Sequence, residues 1–223
     1  MAYSLINQVS GGNNLGITTS AIDTTGADLI VIAYCIQGSG TLSISDNKSN
    51  TYTLAEDPNP GAGVDNCVIY YCQGPTVGAG HTFSASGVNF ACMHVAAYAG
   101  SVTTPLDQKN GLANGSGGTS IQPGSVTPAT NNQLVVTGVE SASFGGTASI
   151  NGGFTITTQS DFNATGHSEV AGGQAYLIQT TATAANPTWS WASNVGRGSS
   201  IVTFKAATGA AANANYLPLL GVG

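Results

Sequence analysis

Charge is what this sequence has least of. Lys and Arg number four and Asp and Glu ten among 223 residues, so charged side chains make up 6%, against roughly a quarter in an average globular domain. The surface must therefore be built largely from Ser, Thr, Asn, Gln and Gly. The only cations are Lys48, Lys109, Arg197 and Lys205, and with a formal charge of −6 the chain would repel a phosphate backbone, so nucleic acid is not an expected partner. Long apolar runs are missing as well. The longest, Leu29 to Ile36, spans eight residues, whereas a helix crossing a bilayer needs roughly 20, so no membrane span is expected. No Lys or Arg precedes Lys48. The basic region that opens a secretory signal is thus absent, and any export is expected by another route, such as release with a virus particle.

Cysteine is scarce and one-sided: Cys35, Cys67, Cys72 and Cys92 all lie in the first half. Two disulfides among four cysteines allow three pairings. Cys67 and Cys72, five apart on a strand, would face opposite sides and make poor partners. Because the second half has no cysteine at all, buried free thiols packing as small hydrophobes are the expectation. No C-x-x-C pair occurs and the histidines, His81, His94 and His167, are scattered, so neither zinc nor any other cofactor is expected.

Catalytic signatures are absent too. There is no G-x-S-x-G elbow and no phosphate-cradling loop, and the many glycines fall where β-turns need positive φ. A glycoside hydrolase would need two carboxylates roughly 5 to 10 Å apart, and Glu56, Asp57, Glu140 and Glu169 cannot be paired from spacing alone. No catalytic residue is therefore expected. Asp46, Asn47 and Asn50 could gather oxygens around Ca²⁺, but an Asx-type hairpin loop accounts for the same residues without metal.

What the sequence does have is β pattern. Helix periodicity is nearly absent, and short stretches rich in Val, Ile, Thr, Tyr and Phe recur between Gly, Asn and Pro. In the first half these lie near Asp28–Ile36, Thr41–Ser45, Thr51–Ala55, Cys67–Gln73, His81–Ala85 and Ala91–Ala99. The second half repeats the first. Gly40-Thr41-Leu42-Ser43-Ile44 recurs as Gly146-Thr147-Ala148-Ser149-Ile150, an offset of 106 that also carries Tyr70 onto Tyr176, Thr82-Phe83 onto Thr188-Trp189, and Tyr98 onto Phe204. Leu29-Ile30-Val31 matches Leu134-Val135-Val136 at 105. Bulky residues recurring at strand positions read as equivalent core positions. The expected fold is all-β: a duplicated antiparallel, jelly-roll-like β-sandwich of about twelve strands with a pseudo-twofold internal repeat. The first half would span residues 1–109, a Gly/Asn/Ser linker 110–120, and the second half 121–206. Residues 207–223 would form a small-residue linker and an apolar tail.

The segments Ser45-Asp46, Asn50-Thr51-Tyr52-Thr53, Tyr70-Tyr71-Cys72, Pro75-Thr76-Val77-Gly78-Ala79-Gly80-His81-Thr82 and Val95-Ala96-Ala97-Tyr98-Ala99-Gly100 resemble the two-repeat jelly-roll-like modules of phage virion and bacterial surface proteins. The resemblance covers roughly Ile17 to Ala206 and carries no catalytic signature. It implies a virion or extracellular surface role.

Contact residues are expected where the repeat breaks. Trp189 and Trp191, two apart, share one face of a strand. Trp189 matches Phe83 and belongs to the core, whereas Trp191 matches Ala85 and is the candidate for a ligand or a neighbouring subunit, together with Tyr71. His94 shares a face with Ala96 and Tyr98 and is expected to be a semi-buried, hydrogen-bonded histidine. The apolar tail, with Tyr216, Leu217, Leu219, Leu220 and Val222, is the candidate docking peptide for assembly. The leading expectation is thus a self-associating structural protein, with a glycan-binding or receptor-binding module second and a hydrolase third.

Overall fold

The computed structural model describes residues 2–13, 16–37, 40–59, 65–88, 90–162 and 170–207. These residues form strands and turns with no helix among them, and so none that is long and apolar enough to cross a membrane. The first half contributes β1 (Ser4–Asn13), β2 (Ile17–Thr18), β3 (Leu29–Ile36), β4 (Gly40–Asp46), β5 (Thr53–Glu56), β6 (Asn66–Gln73), β7 (Phe83–Val88) and β8 (Ala91–Ala99). The second contributes β9 (Ser101–Ile121), β10 (Gln133–Ser141), β11 (Ser149–Ile150), β12 (Thr155–Phe162), β13 (Val170–Gln179) and β14 (Trp189–Ala206). The described residues thus hold fourteen strands where about twelve were expected. The six expected in the first half are β3 to β8, and β1 and β2 precede them.

All the ladders are antiparallel. One five-stranded sheet has the order β1-β8-β3-β6-β5, and a three-stranded sheet, β2-β7-β4, covers one of its faces. Its other face packs on a six-stranded sheet in which β12-β13-β10-β14 run in order and both β9 and the short β11 pair with β14. The pairings β1 with β8, β2 with β7 and β3 with β6 are nested one inside the next. The order β9-β14-β10-β13-β12 corresponds strand for strand to β1-β8-β3-β6-β5.

The continuous apolar run Leu29–Ile36 is a strand buried on both faces, as a strand in a doubly covered sheet must be. Ile30, Ile32 and Tyr34 pack against Ile17, Phe83 and Ala85. Leu29 and Val31 face the other way, onto Leu134, Val136, Val202 and Phe204. The two halves therefore form one continuous sandwich with a shared core. The outer face of the second sheet is closed by Ile121, Phe144, Ala148, Trp189 and Trp191.

The stretch 110–120, expected to be a linker, instead lies within β9 and pairs with β14 from Asn114↔Arg197 to Asn110↔Ile201. Backbone hydrogen bonding to a regular neighbour makes a strand of a segment whose own composition reads as loop. The crossover between the halves falls earlier, at Gly100 (φ 111°). A Cβ there would lie 2.8 Å from the Ala2 carbonyl oxygen, and the Asp28 carboxylate accepts the Gly100 and Ser101 amides at 2.9 and 3.0 Å.

The repeat also does not keep one offset. Val31 pairs with Tyr71 and Val136 with Tyr176, so the counterpart of Tyr176 is Tyr71, one residue from the expected Tyr70. Ile17 pairs with Ala85 and Ile121 with Trp189, which makes Trp189 the counterpart of Ala85. The irregular register of β14 between Ser190 and Arg197 restores the offset of 106 by Phe204. The expected docking tail, including Tyr216, Leu217, Leu219, Leu220 and Val222, lies outside the described residues.

Candidate functional site

Trp189 and Trp191 do share a face, but that face is covered. Trp191 is 7% exposed, with its ring centroid 5.7 Å from that of Phe144. Phe144 is held over it because Asp161 Oδ2 accepts the Phe144 amide at 3.1 Å and the Ser143 hydroxyl at 3.2 Å. Trp191 therefore packs as core and presents no stacking surface. Tyr71 is half-buried between the five- and six-stranded sheets, its ring 5.5 Å from Phe204, while Tyr70 packs toward the three-stranded sheet. Both expected contact residues are thus packing residues.

Among the described residues, the candidate carboxylates have separate surroundings. Glu56 faces Lys109 at 3.1 Å, Asp57 accepts from Asn66 Nδ2 at 2.8 Å, Glu140 is fully buried, and Glu169 lies outside the described residues. Two surface clefts have other linings. One, of about 370 Å³, is bordered by Asn151, Phe154, Gln179, Thr181, Thr183 and Asn186 and has no titratable side chain in its wall. The second borders Leu112, Gln122, Asn186, Thr188 and Arg197.

Asp46 anchors its hairpin loop. Its carboxylate accepts the amides of Lys48 and Asn50 at 2.9 and 3.1 Å, Asn50 Nδ2 at 2.8 Å and the Tyr52 hydroxyl at 2.6 Å. The loop is the Asx-type turn of the sequence reading. Burial works to raise the Asp46 pKa, but the donors from Tyr52 and Asn50, with His81, outweigh it and hold the pKa at about 2. His81 Nε2 stands 3.1 Å from Asp46 Oδ2, and its Nδ1 meets Thr24 Oγ1 at 2.9 Å. This Thr-His-Asp sequence of contacts is sealed: the His81 and Asp46 side chains have no exposure, and the Thr24 hydroxyl is engaged with the Gly78 backbone. The arrangement fastens loops and exposes no nucleophile.

The cysteines and histidines that looked scattered are partly gathered. All four cysteines are free and buried. The ladders set Cys92, Cys35 and Cys67 side by side across β8, β3 and β6, facing the second half, while Cys72 faces the other way into the first core. Cys35 and Cys67 Sγ are 3.9 Å apart. His94 lies two residues from Cys92 on the same face, hydrogen-bonded as expected but fully rather than semi-buried, with Nδ1 2.9 Å from Thr158 Oγ1. The Cys35, Cys92 and His94 ligand atoms lie within 4.8 Å of one another. His167 lies outside the described residues.

The opposing sheet has Glu140 as the counterpart of Cys35, flanked by Gly172 and Gly198 where Cys67 and Cys92 stand in the first half. Without side chains at the two glycines, the sheets close over the thiols. Burial keeps the Cys67 and Cys92 thiols well above the usual range, and hydrogen bonds to Cys35 raise them further. Burial opposes ionisation of Cys35 as well, but the neighbouring thiols and the His94 field bring it below that range. Burial holds His94 in its neutral form. Sequence spacing hid this cluster, because ladder register alone brings residues 32 and 57 positions apart together.

No family model matches this chain, and a comparison with curated proteins finds no match.

Proposed function

We propose that the chain is a non-catalytic building block of a virion or other extracellular particle. In this reading it is made of two jelly-roll halves related by duplication and associates with copies of itself. The observation that carries this is the outer edge of β9, a 21-residue strand that pairs with β14 on one side and with no described strand on the other. Residues 110–121 of that strand contain no charge, and Leu112 is 46% exposed. Edge strands are ordinarily blunted by Lys, Pro or short length, because unpaired N–H and C=O groups recruit another strand; in β9, Pro105 and Lys109 stand only in the first half of the strand. A surface with so few ions also packs against a copy of itself without burying charge. The resemblance to phage and bacterial surface modules points the same way.

Light scattering across a concentration series tests the proposal. The wild-type chain should assemble, and Leu112→Lys with Thr119→Lys should return it to monomer. A wild-type protein that stays a monodisperse monomer at high concentration, with and without residues 208–223, would refute it.

The cleft around Phe154 supports a second reading as a glycan-binding module. Amide and hydroxyl groups from Asn151, Gln179, Thr181, Thr183 and Asn186 surround one aromatic ring there, a lining suited to a neutral sugar. A glycan array, repeated with Asn186→Ala, separates the two readings.

A further inference from the structure

We infer that Cys35, Cys92 and His94 form a closed structural site for a thiophilic divalent cation, Zn²⁺ above others, buried between the two halves. Three observations converge on it. The three donor atoms lie within 4.8 Å of one another. They also point at one spot on the opposing sheet, since a Cβ on Gly172 would fall 2.5 Å from Cys92 Sγ, 2.6 Å from Cys35 Sγ and 2.9 Å from His94 Nε2. Glycine at that position lets the opposing backbone come close to the donors, where any side chain would collide with them; Cys35 Sγ also donates to the Val139 carbonyl at 3.2 Å. The Zn–S and Zn–N bonds, about 2.3 Å and about 2.0–2.1 Å, set donors of a tetrahedral site roughly 3.5–4 Å apart, so these side chains need to draw together by only about 1 Å or less.

The second observation is the orientation of the imidazole. Thr158 Oγ1 engages Nδ1 at 2.9 Å, which turns Nε2 toward the thiols, with the Ser160 hydroxyl 3.4 Å from it. A hydrogen-bond partner on one ring nitrogen is how a ligating histidine is ordinarily aimed.

The third, independent of the donors, is Glu140. Its side chain is fully buried, and neither carboxyl oxygen has a hydrogen-bond partner. It sits in the electrostatic field of Cys35, Cys67 and Cys92. A buried carboxyl with no donor is costly, and a cation held by the adjacent thiolates supplies the missing partner. Cys67 Sγ, 3.9 Å from Cys35 Sγ, and Glu140 are the groups placed to complete four-coordination. Sulfur with imidazole nitrogen selects zinc over hard cations. Each thiol or carboxyl that ligates gives up its proton, Cys35 and Cys92 together with whichever of Cys67 and Glu140 fills the fourth position, while His94 binds through a neutral ring.

Because the site is sealed between sheets, the ion enters as the halves close. The full chain is therefore unfolded under reducing conditions, stripped with a chelator, and refolded with and without Zn²⁺, or with Co²⁺ as an optical probe. One equivalent of retained zinc is expected, with a raised thermal midpoint. Cobalt should give the thiolate charge-transfer and visible bands of tetrahedral coordination. Cys92→Ser and His94→Gln should lose both readouts, whereas Cys72→Ser, whose thiol faces the other core, should keep them. Should the first two variants fail to fold, metal content of the wild type still decides. The inference is overturned if refolded wild type retains no zinc and melts alike with and without it, or if Cys92→Ser and His94→Gln bind as tightly as wild type.

Discussion

The Tyr71 ring meets Phe204 between the five- and six-stranded sheets, centroids 5.5 Å apart and planes inclined by 59°. Tyr98 meets Tyr176 in the same way, at 5.7 Å and 64°. The ladders equate Tyr71 with Tyr176 and Tyr98 with Phe204, so each contact joins the tyrosine of one half to the last-strand aromatic of the other. Two reciprocal contacts of this kind bind the halves into one core.

The two aromatic contacts should therefore be energetically alike. Double-mutant cycles on Tyr71/Phe204 and on Tyr98/Tyr176 should each return a coupling of about 0.5–1.5 kcal/mol, and denaturant unfolding should be a single transition. Two separate transitions, or coupling in only one pair, would show that the halves do not share a core in this way.

Gly172 and Gly173 are neighbours with opposite tolerance. A Cβ at Gly172 collides with both sulfurs, while one at Gly173 meets Gln159 and Trp189 at an ordinary 3.5 Å. Gly172→Ala should cost about 1–3 kcal/mol through forced separation of the sheets, and Gly173→Ala much less. Urea midpoints of the two variants decide; equal midpoints would contradict the close approach at the thiols.

Asp28 holds the crossover between halves through two amides. Asp28→Ala, which leaves both donors unpaired, should lower stability by about 1–3 kcal/mol, and Asp28→Asn should recover part of that. A thermal midpoint unchanged in Asp28→Ala would argue that water replaces the carboxylate at no cost.

Acid sensitivity should depend on Tyr52. The Asp46 pKa is depressed to about 2, so its contribution to stability is present above the unfolded value, about 3.9, and is lost as pH falls toward 2. Removing the Tyr52 hydroxyl in Tyr52→Phe raises that pKa, and the acid-unfolding midpoint should move to higher pH. A midpoint that stays put would show that the other donors suffice.

Much of the fold could be read from residue pattern. β3, β6 and β8 are apolar on both faces because their sheet is covered on both sides, and a run such as Leu-Ile-Val-Ile-Ala-Tyr-Cys-Ile advertises that burial. β1 and the second half of β9 carry no such mark. Their Gly, Asn and Ser residues become strand because β8 and β14 offer a ladder, and a ladder partner cannot be seen in the segment's own composition. Trp191 shows the reverse error: its position in the repeat suggested freedom, but Phe144, carried by a loop that Asp161 holds in place, covers it.

The sequence by itself determined the all-β class, most strands of the first half and the scarcity of surface charge, because these follow from local composition and period. Only the tertiary structure decided the register within the repeat, the fusion of both halves into one sandwich, and the meeting of Cys35, Cys67, Cys92 and His94 opposite Gly172. Each of these depends on which strands become neighbours, a long-range outcome of burying two apolar faces against each other.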